Sequence, residues 1–367
     1  MLLCFDKLIE IIFISLITYI ILIKKFKLIL SWLYRVGLSV ALIAFLCLAP
    51  ATVMPNLLKA QANVNRNNGI INECILELWH IETFEGGSVS RETFLERCAL
   101  QFEKKNKGTY VVIIKMSVEQ FYLNIKNNKK PNMLSFGVGV GDDFANSLIT
   151  LNWQGNIRTD LLAGGKHNGS QLAVPYILGG YALIGNEISN NKVNGKTGVG
   201  LTDGINPLLA LKSNNISSDF FNNVALDTYS AYDKYVKGGF ENLLGTQRDV
   251  FRISNKKQQG LLSNVRINFL GGFTDLIQYV SVFNHSKAEN DLSQEFVDLL
   301  TSQTTQNKLK DIGMFSVLKN TKLYDDETYS QMENTLNGTL KTTNVFTELS
   351  ILQAEKNKLI KEYKIID

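Results

Sequence analysis

Histidine and cysteine are scarce in this chain of 367 residues, and their placement excludes a good deal. The three histidines, His80, His167 and His285, lie far apart, and the four cysteines form neither a C-x-x-C pair nor a cluster at zinc spacing. No metal centre and no cofactor are therefore expected. The signatures G-x-S-x-G, H-E-x-x-H and the P-loop are absent. Gly137 to Gly141 (GVGVG) lacks the spacing of a dinucleotide loop and runs into Asp142-Asp143, which would repel phosphate. Surplus charge is also missing from most of the chain. The net charge is +4, but residues 1–62 hold six Lys or Arg and two acids, leaving 32 of each sign beyond them. A neutral body has no electrostatic footprint for nucleic acid.

Long apolar runs occur only near the start. Ile11 to Ile23 is short, whereas Val36 to Met54 is uncharged and about long enough to span a bilayer. Lys24, Lys25, Lys27 and Arg35 lie between them, and the positive-inside bias places everything after Met54 outside the cytoplasm. Ala60 and Ala62 also suit signal cleavage, so the segment reads as an anchor or as a removable signal. Leu46 and Phe45 before Cys47 do not form a lipobox. Residues 1–62 are thus a signal or anchor region, and the asparagine-rich 63–72 is a linker.

Beyond the linker, apolar strands alternate with helical patterns. Ile75–Trp79 and Tyr110–Met116 are predicted strands, and Ser90–Lys105 between them is a helix with Phe94, Leu95, Cys98 and Phe102 on one face. Strand, helix and strand in about forty residues imply a parallel sheet. Val118–Lys126 reads as helix, Asn132–Gly139 and Leu172–Asn186 as extended, Arg266–Leu270 as strand, Ser293–Leu309 as helix and Asp325–Tyr363 as a helical tail. Cys74 and Cys98 are either a disulfide or two buried thiols. The extended segments suggest two α/β lobes with chain crossings near Val174–Leu183, Val265–Gly272 and Gly313–Lys319. Ligands bind in such a cleft. The first lobe is expected to comprise 73–175 and 271–315, the second 176–270 and 316–367.

The candidate site residues follow from strand ends. Leu76 to Arg91 (LELWHIETFEGGSVSR) sets Trp79, His80, Glu82 and Glu85 beyond a strand, where ligands of parallel sheets sit. An indole there is either a stacking platform for a sugar ring or a core residue. The two glutamates are either acceptors for adjacent hydroxyls or solvated loop charges. Ser135 and Phe136 end the third strand, Trp153 is a second aromatic candidate, and Tyr176 and Tyr181 flank the proposed hinge. Gln247, Arg248, Asp249 and Arg252 are either a polar cage or a salt-bridged helix start. Phe273, Thr274 and Asp275 follow the Gly271-Gly272 return. Glu82 and Glu85 could also be an acid/base pair, but they share one short loop, and a glycosidase needs carboxylates on both sides of a bond.

Five segments, LELWHIETFEGG, PNMLSFGVGV, AVPYILGGYALIGN, KGGFENLLGTQRDVFRI and GGFTDLIQYVSV, together resemble the extracellular solute-binding proteins of ABC importers, in particular their sugar-binding group. The likeness runs from about Leu76 to Lys319. Glu241 and Asn242 depart from the small residues of the family's F-x-x-G-x-x-A-M-x-x-G block, and the lipidated cysteine is absent. The resemblance implies a periplasmic-binding-protein-like fold of type II, in which two α/β lobes close on a ligand. It implies a carbohydrate ligand, a membrane permease as partner, a monomeric state and no catalysis. The N-terminal apolar segment would contact membrane lipid. A sensor or adhesion module of the same fold is the alternative, and a carbohydrate-active enzyme a further one.

Overall fold

The computed structural model describes residues 37–39 and 73–365, apart from 154, 186, 187, 190, 191, 194, 203, 218–221, 263 and 264. Apart from Gly37–Ser39, which are helical, the apolar runs at the start lie outside the described residues, as do the possible cleavage site and the linker. Among the described residues no helix is long and apolar enough to cross a membrane. Residues 73–367 form one compact unit.

Two five-stranded sheets organise that unit. The first lobe begins with β1 (Cys74–Ile81), α1 (Arg91–Lys105), β2 (Thr109–Met116), α2 (Val118–Lys126) and β3 (Met133–Phe136). Both β2 and β3 pair parallel with β1. The helices begin where a hydroxyl side chain can cap them. Ser90 accepts from the Glu92 amide at 3.1 Å, and Ser117 forms a capping box with Gln120. The apolar face of α1 buries Phe94, Leu95, Cys98 and Phe102, while Phe121 of α2 packs edge-on against Trp79 and Phe144. Each such ring removed from water contributes about 1.5–3 kcal/mol. Strand β2 is less covered than its apolar sequence predicts, with Val112 44% exposed, because it is the edge of the sheet. Cys74 and Cys98 are free thiols.

β4 (Val174–Leu178) runs at the far edge of the first sheet, so the crossing begins at Gly179, a little later than the expected boundary at 176. β5 (Tyr181–Gly185) follows at once in the second sheet. There it is joined by β6 (Lys196–Gly200), α3 (Pro207–Ser213), β7 (Asn222–Leu226), α4 (Thr228–Val236), β8 (Asn242–Thr246), α5 (Gln247–Gln258) and β9 (Arg266–Leu270). The chain then returns to the first sheet as β10 (Ile277–Val282), which is antiparallel to β3 and β4.

The two sheets share one pattern. Their orders are β2-β1-β3-β10-β4 and β7-β6-β8-β5-β9. In each, three parallel strands meet one antiparallel strand that has crossed over from the other lobe.

The C-terminal part departs most from expectation. The predicted Ser293–Leu309 helix is α6 (Lys287–Thr301), followed by a short helical turn and a 3-10 stretch ending at Gly313. The predicted helical tail is two helices, α7 (Glu327–Leu336) and α8 (Leu349–Glu362). Between them 338–347 returns to the first lobe. Leu340 N donates to Asp160, Val345 N to Gly164 O, and Phe346 packs against Phe136. This return lies inside the 316–367 range expected for the second lobe.

Candidate functional site

The loop after β1 meets the start of α5 across the cleft. Thr246 caps α5, accepting from Arg248 N at 3.2 Å, while Asp249 accepts from Thr246 N at 3.0 Å. That cap aims the first turn of α5 at residues 85–87. Gln247 Nε2 donates to Glu85 O at 3.0 Å and Gly86 O at 3.3 Å, and its Oε1 accepts from Gly180 N at 3.1 Å. Arg248 donates to Gly87 O. Arg252 reaches Glu85 at 3.3 Å and Asp249 at 3.2 Å, with Tyr232 4.8 Å beneath its guanidinium. The 85–87 loop and the start of α5 therefore lie opposite each other and bond directly.

A second contact closes the other end of the cleft. The chain after β3 meets the loop after β6 so tightly that a Cβ on Gly204 would lie 2.3 Å from Val138 O. Gly87 is equally confined, because a Cβ there would lie 2.0 Å from Ile312 O. Gly87→Ala should accordingly lower stability by about 1–3 kcal/mol through overpacking against backbone. A thermal melt within error of the parent would refute that packing.

Behind the loop lies a buried polar network. Arg91 is fully buried at the first position of α1. It donates to Gln278 Oε1 at 3.0 Å and to Phe84 O, and lies over the Phe84 ring at 4.1 Å. Gln278 Nε2 donates to Ile81 O and to Ser135 Oγ, each at 2.9 Å. Ser135 Oγ also lies 2.7 Å from the Tyr176 hydroxyl and 2.8 Å from His80 Nδ1. A serine has one proton to give. If Gln278 and Tyr176 donate to it, it donates to Nδ1 and leaves the His80 proton on Nε2, facing Glu82 at 3.4 Å. Burial lowers the His80 pKa, which keeps the ring neutral.

Glu82 ends this network at the surface, 26% exposed, with Lys115 at 2.6 Å and Arg91 at 3.8 Å. Partial burial pushes its carboxyl up, but His80, Arg91 and Lys115 outweigh that and hold it at about 2. A cavity of about 330 Å³ opens here, lined by Glu82, Glu85, Arg91, Lys115, Arg248 and Arg252 among others.

Other expected site residues stand elsewhere. Trp79 is only 4% exposed, packs on Phe121 and donates to Glu77 at 3.2 Å, so it belongs to the core. Phe136 is buried against Phe144 and Phe346. Ser135 and Tyr176 lie inside the first lobe. Trp153 is 37% exposed, next to Asn152, whose backbone amide donates to Gln294 on α6, away from the cleft. Tyr181, Thr274 and Asp275 bond at the chain crossings between the two sheets. Tyr181 donates to Asp275 at 2.5 Å, Asn206 N donates to Asp275 at 2.7 Å, and Thr274 donates to Gly179 O at 3.0 Å. Phe273 is buried and bridges to Lys341. Sequence reasoning missed Arg91, Lys115 and Gln278. Lys115 was signalled as the one charged residue of a mainly apolar strand, while Gln278 in IQYVSV and Arg91 at a helix start carried no such sign.

No protein-family model matches this sequence, and no curated protein matches it. Solved structures do. The GacH receptor of Streptomyces glaucescens superposes with a TM-score of 0.57 at 13% identity, covering 79% of this chain and 93% of the receptor. The galacto-N-biose/lacto-N-biose I-binding protein of a Bifidobacterium longum ABC transporter gives 0.53 at 11% identity, over 81% and 93%. Thiaminase I from Bacillus thiaminolyticus also gives 0.53 at 11% identity, over 79% and 99%. At such identities the likeness is one of fold: this chain has the α/β fold shared by extracellular solute-binding proteins and at least one enzyme.

Proposed function

We propose that the chain is the solute-binding component of an ABC importer, working outside the cytoplasm and delivering a polar solute, carbohydrates included, to a membrane permease. The observation that carries this reading is the closed cleft, where Gln247, Arg248 and Arg252 of one lobe bond the 85–87 loop of the other. Two lobes joined by chain crossings and held by so few polar contacts form an openable hinge. A ligand that touches both lobes would favour the closed form. Attachment through the N-terminal apolar segment, or release after Ala62, belongs to the same proposal, as does a monomeric state.

The site chemistry favours binding over turnover. A carboxyl at about 2 is far too acidic for a general acid near neutral pH, and Glu85 is paired across the cleft with Arg252. The buried positions of Trp79, Phe136, Tyr176 and Tyr181 remove the aromatic platforms that favoured a sugar, leaving hydrogen bonds and charge as the source of affinity.

Mass spectrometry of solute retained by the purified protein tests the reading, paired with small-angle scattering before and after its removal. Gly204→Ala provides the internal control. Its Cβ collides only when the lobes are shut, so the variant should keep its melting temperature, scatter as a more open particle and bind the retained solute about tenfold or more weakly. A retained solute bound equally well by an unchanged Gly204→Ala particle would count against cleft closure.

A further inference from the structure

The cavity at the cleft mouth has an imbalance of charge. Four cationic side chains, Arg91, Lys115, Arg248 and Arg252, line it against the two carboxylates Glu82 and Glu85. Lys115 is matched by Glu82 at 2.6 Å, and Arg252 by Glu85 at 3.3 Å. Asp249 stands behind Arg252 at 3.2 Å, buried in the second lobe and outside the cavity lining. Arg248 reaches only a neutral carbonyl, Gly87 O, and among the described residues no carboxylate pairs with it.

The floor of the cavity is also short of acceptors. Arg91 is completely buried, yet its Nε has no hydrogen-bond partner, and neither has the buried His80 Nε2, which lies behind Glu82 and outside the cavity lining. Both face Glu82, at 3.8 and 3.4 Å, but that carboxylate is drawn to Lys115. Leaving buried N–H groups unpaired is costly. A site with surplus guanidinium and unmet donors is short of negatively charged oxygens.

We propose that the solute taken by this cleft carries an anionic group, a carboxylate or a phosphate, seated between Arg91 and Lys115 on the first lobe and Arg248 and Arg252 on the second. The inference rests on the solute-binding reading above. Guanidinium groups present paired N–H donors that fit both kinds of oxyanion. The start of α1, capped at Ser90, borders the same cavity and adds a favourable dipole. An anion would replace the Gly87 carbonyl as partner of Arg248 and strengthen the link between lobes. A neutral sugar offers no counter-charge, and a cation would meet repulsion from three sides.

Calorimetric titration of the purified chain with glucose, glucose 6-phosphate, glucuronate, inorganic phosphate and putrescine decides the matter. At least one anionic probe should bind, with an affinity that falls as salt is raised, while glucose and putrescine should not. Arg248→Gln should weaken the anionic probe by tenfold or more while the circular dichroism spectrum stays that of the parent. Glucose bound as tightly as glucose 6-phosphate, or putrescine bound in preference, would overturn the anionic assignment and leave the solute-binding reading standing. Failure of every probe to bind would overturn the assignment. If scattering also showed no closure with any retained solute, the solute-binding reading would fall with it.

Discussion

Arg91→Met is expected to cost about 3–5 kcal/mol of folding stability, read as a fall in the urea midpoint at unchanged slope. The guanidinium is fully buried and serves several groups at once: Gln278 Oε1 at 3.0 Å, the Phe84 carbonyl and ring, and Glu82 at 3.8 Å. Methionine fills much of the volume and supplies none of the donors. Gln278 Oε1 and Phe84 O would lose the Arg91 donor while buried, which is where most of the cost arises. Adding Glu82→Gln to Arg91→Met should recover little, because Glu82 is partly exposed and keeps Lys115. A loss below about 1 kcal/mol would show that the network is not a fastener of the first lobe.

The second large effect is on pH. Burial pushes the Asp275 carboxyl up to about 6, despite the hydrogen bonds from Tyr181 and Asn206 N that lower it. Burial likewise raises Asp249 to about 7. A carboxyl raised in the folded state holds its proton where the unfolded chain has lost it. Stability from these groups is thus greatest below about pH 4 and declines as pH rises to about 7. Glu82 acts in the opposite direction, but its contribution is lost only as pH falls from about 4.5 towards 2. The chain should therefore be most stable near pH 4–5. Asp275 alone should account for a decline of about 2 kcal/mol between there and pH 7.5. Asp275→Asn should flatten that part of the profile, since an amide can accept from Asn206 N and donate to the Tyr181 oxygen. A profile of unchanged steepness in Asp275→Asn would place the titration elsewhere.

Much of the first lobe was legible in the sequence, because its pattern is carried by neighbours along the chain. The alternation of β1, α1, β2 and α2 shows in apolar spacing and capping serines. The second lobe was less so. Strands β6 (KTGVG) and β7 (NNVAL) are short, glycine- or asparagine-containing, and become strands by pairing with each other rather than by propensity. The helical tail was misread for a related reason. Residues 338–347 take their shape from partners far off in sequence, such as Asp160 and Gly164, which no local window contains.

The candidate site divides similarly. The choice of Glu85 and of residues 247–252 as site candidates followed from strand ends and from the resemblance. The roles of individual side chains did not. Trp79 and Glu82 are three residues apart on one strand and its loop, yet one is core and the other lines a cavity. That difference depends on α2, whose Phe121 covers the indole and leaves the carboxylate open. Asp249 was read as either ligand cage or helix cap, and in the closed form it is a cap that also holds Arg252.

The exchanged strands have a consequence for synthesis. β10 separates β3 from β4 in the finished sheet, but it leaves the ribosome only after the whole of the second sheet. Until then the nascent first lobe presents two unpaired backbone edges, one at Met133–Phe136 and one at Val174–Leu178, both apolar. Unpaired edges of that kind invite association with other chains. A ribosome stalled short of residue 277 should thus display a chaperone client, and one stalled well past 282 should display a first lobe that can seal itself.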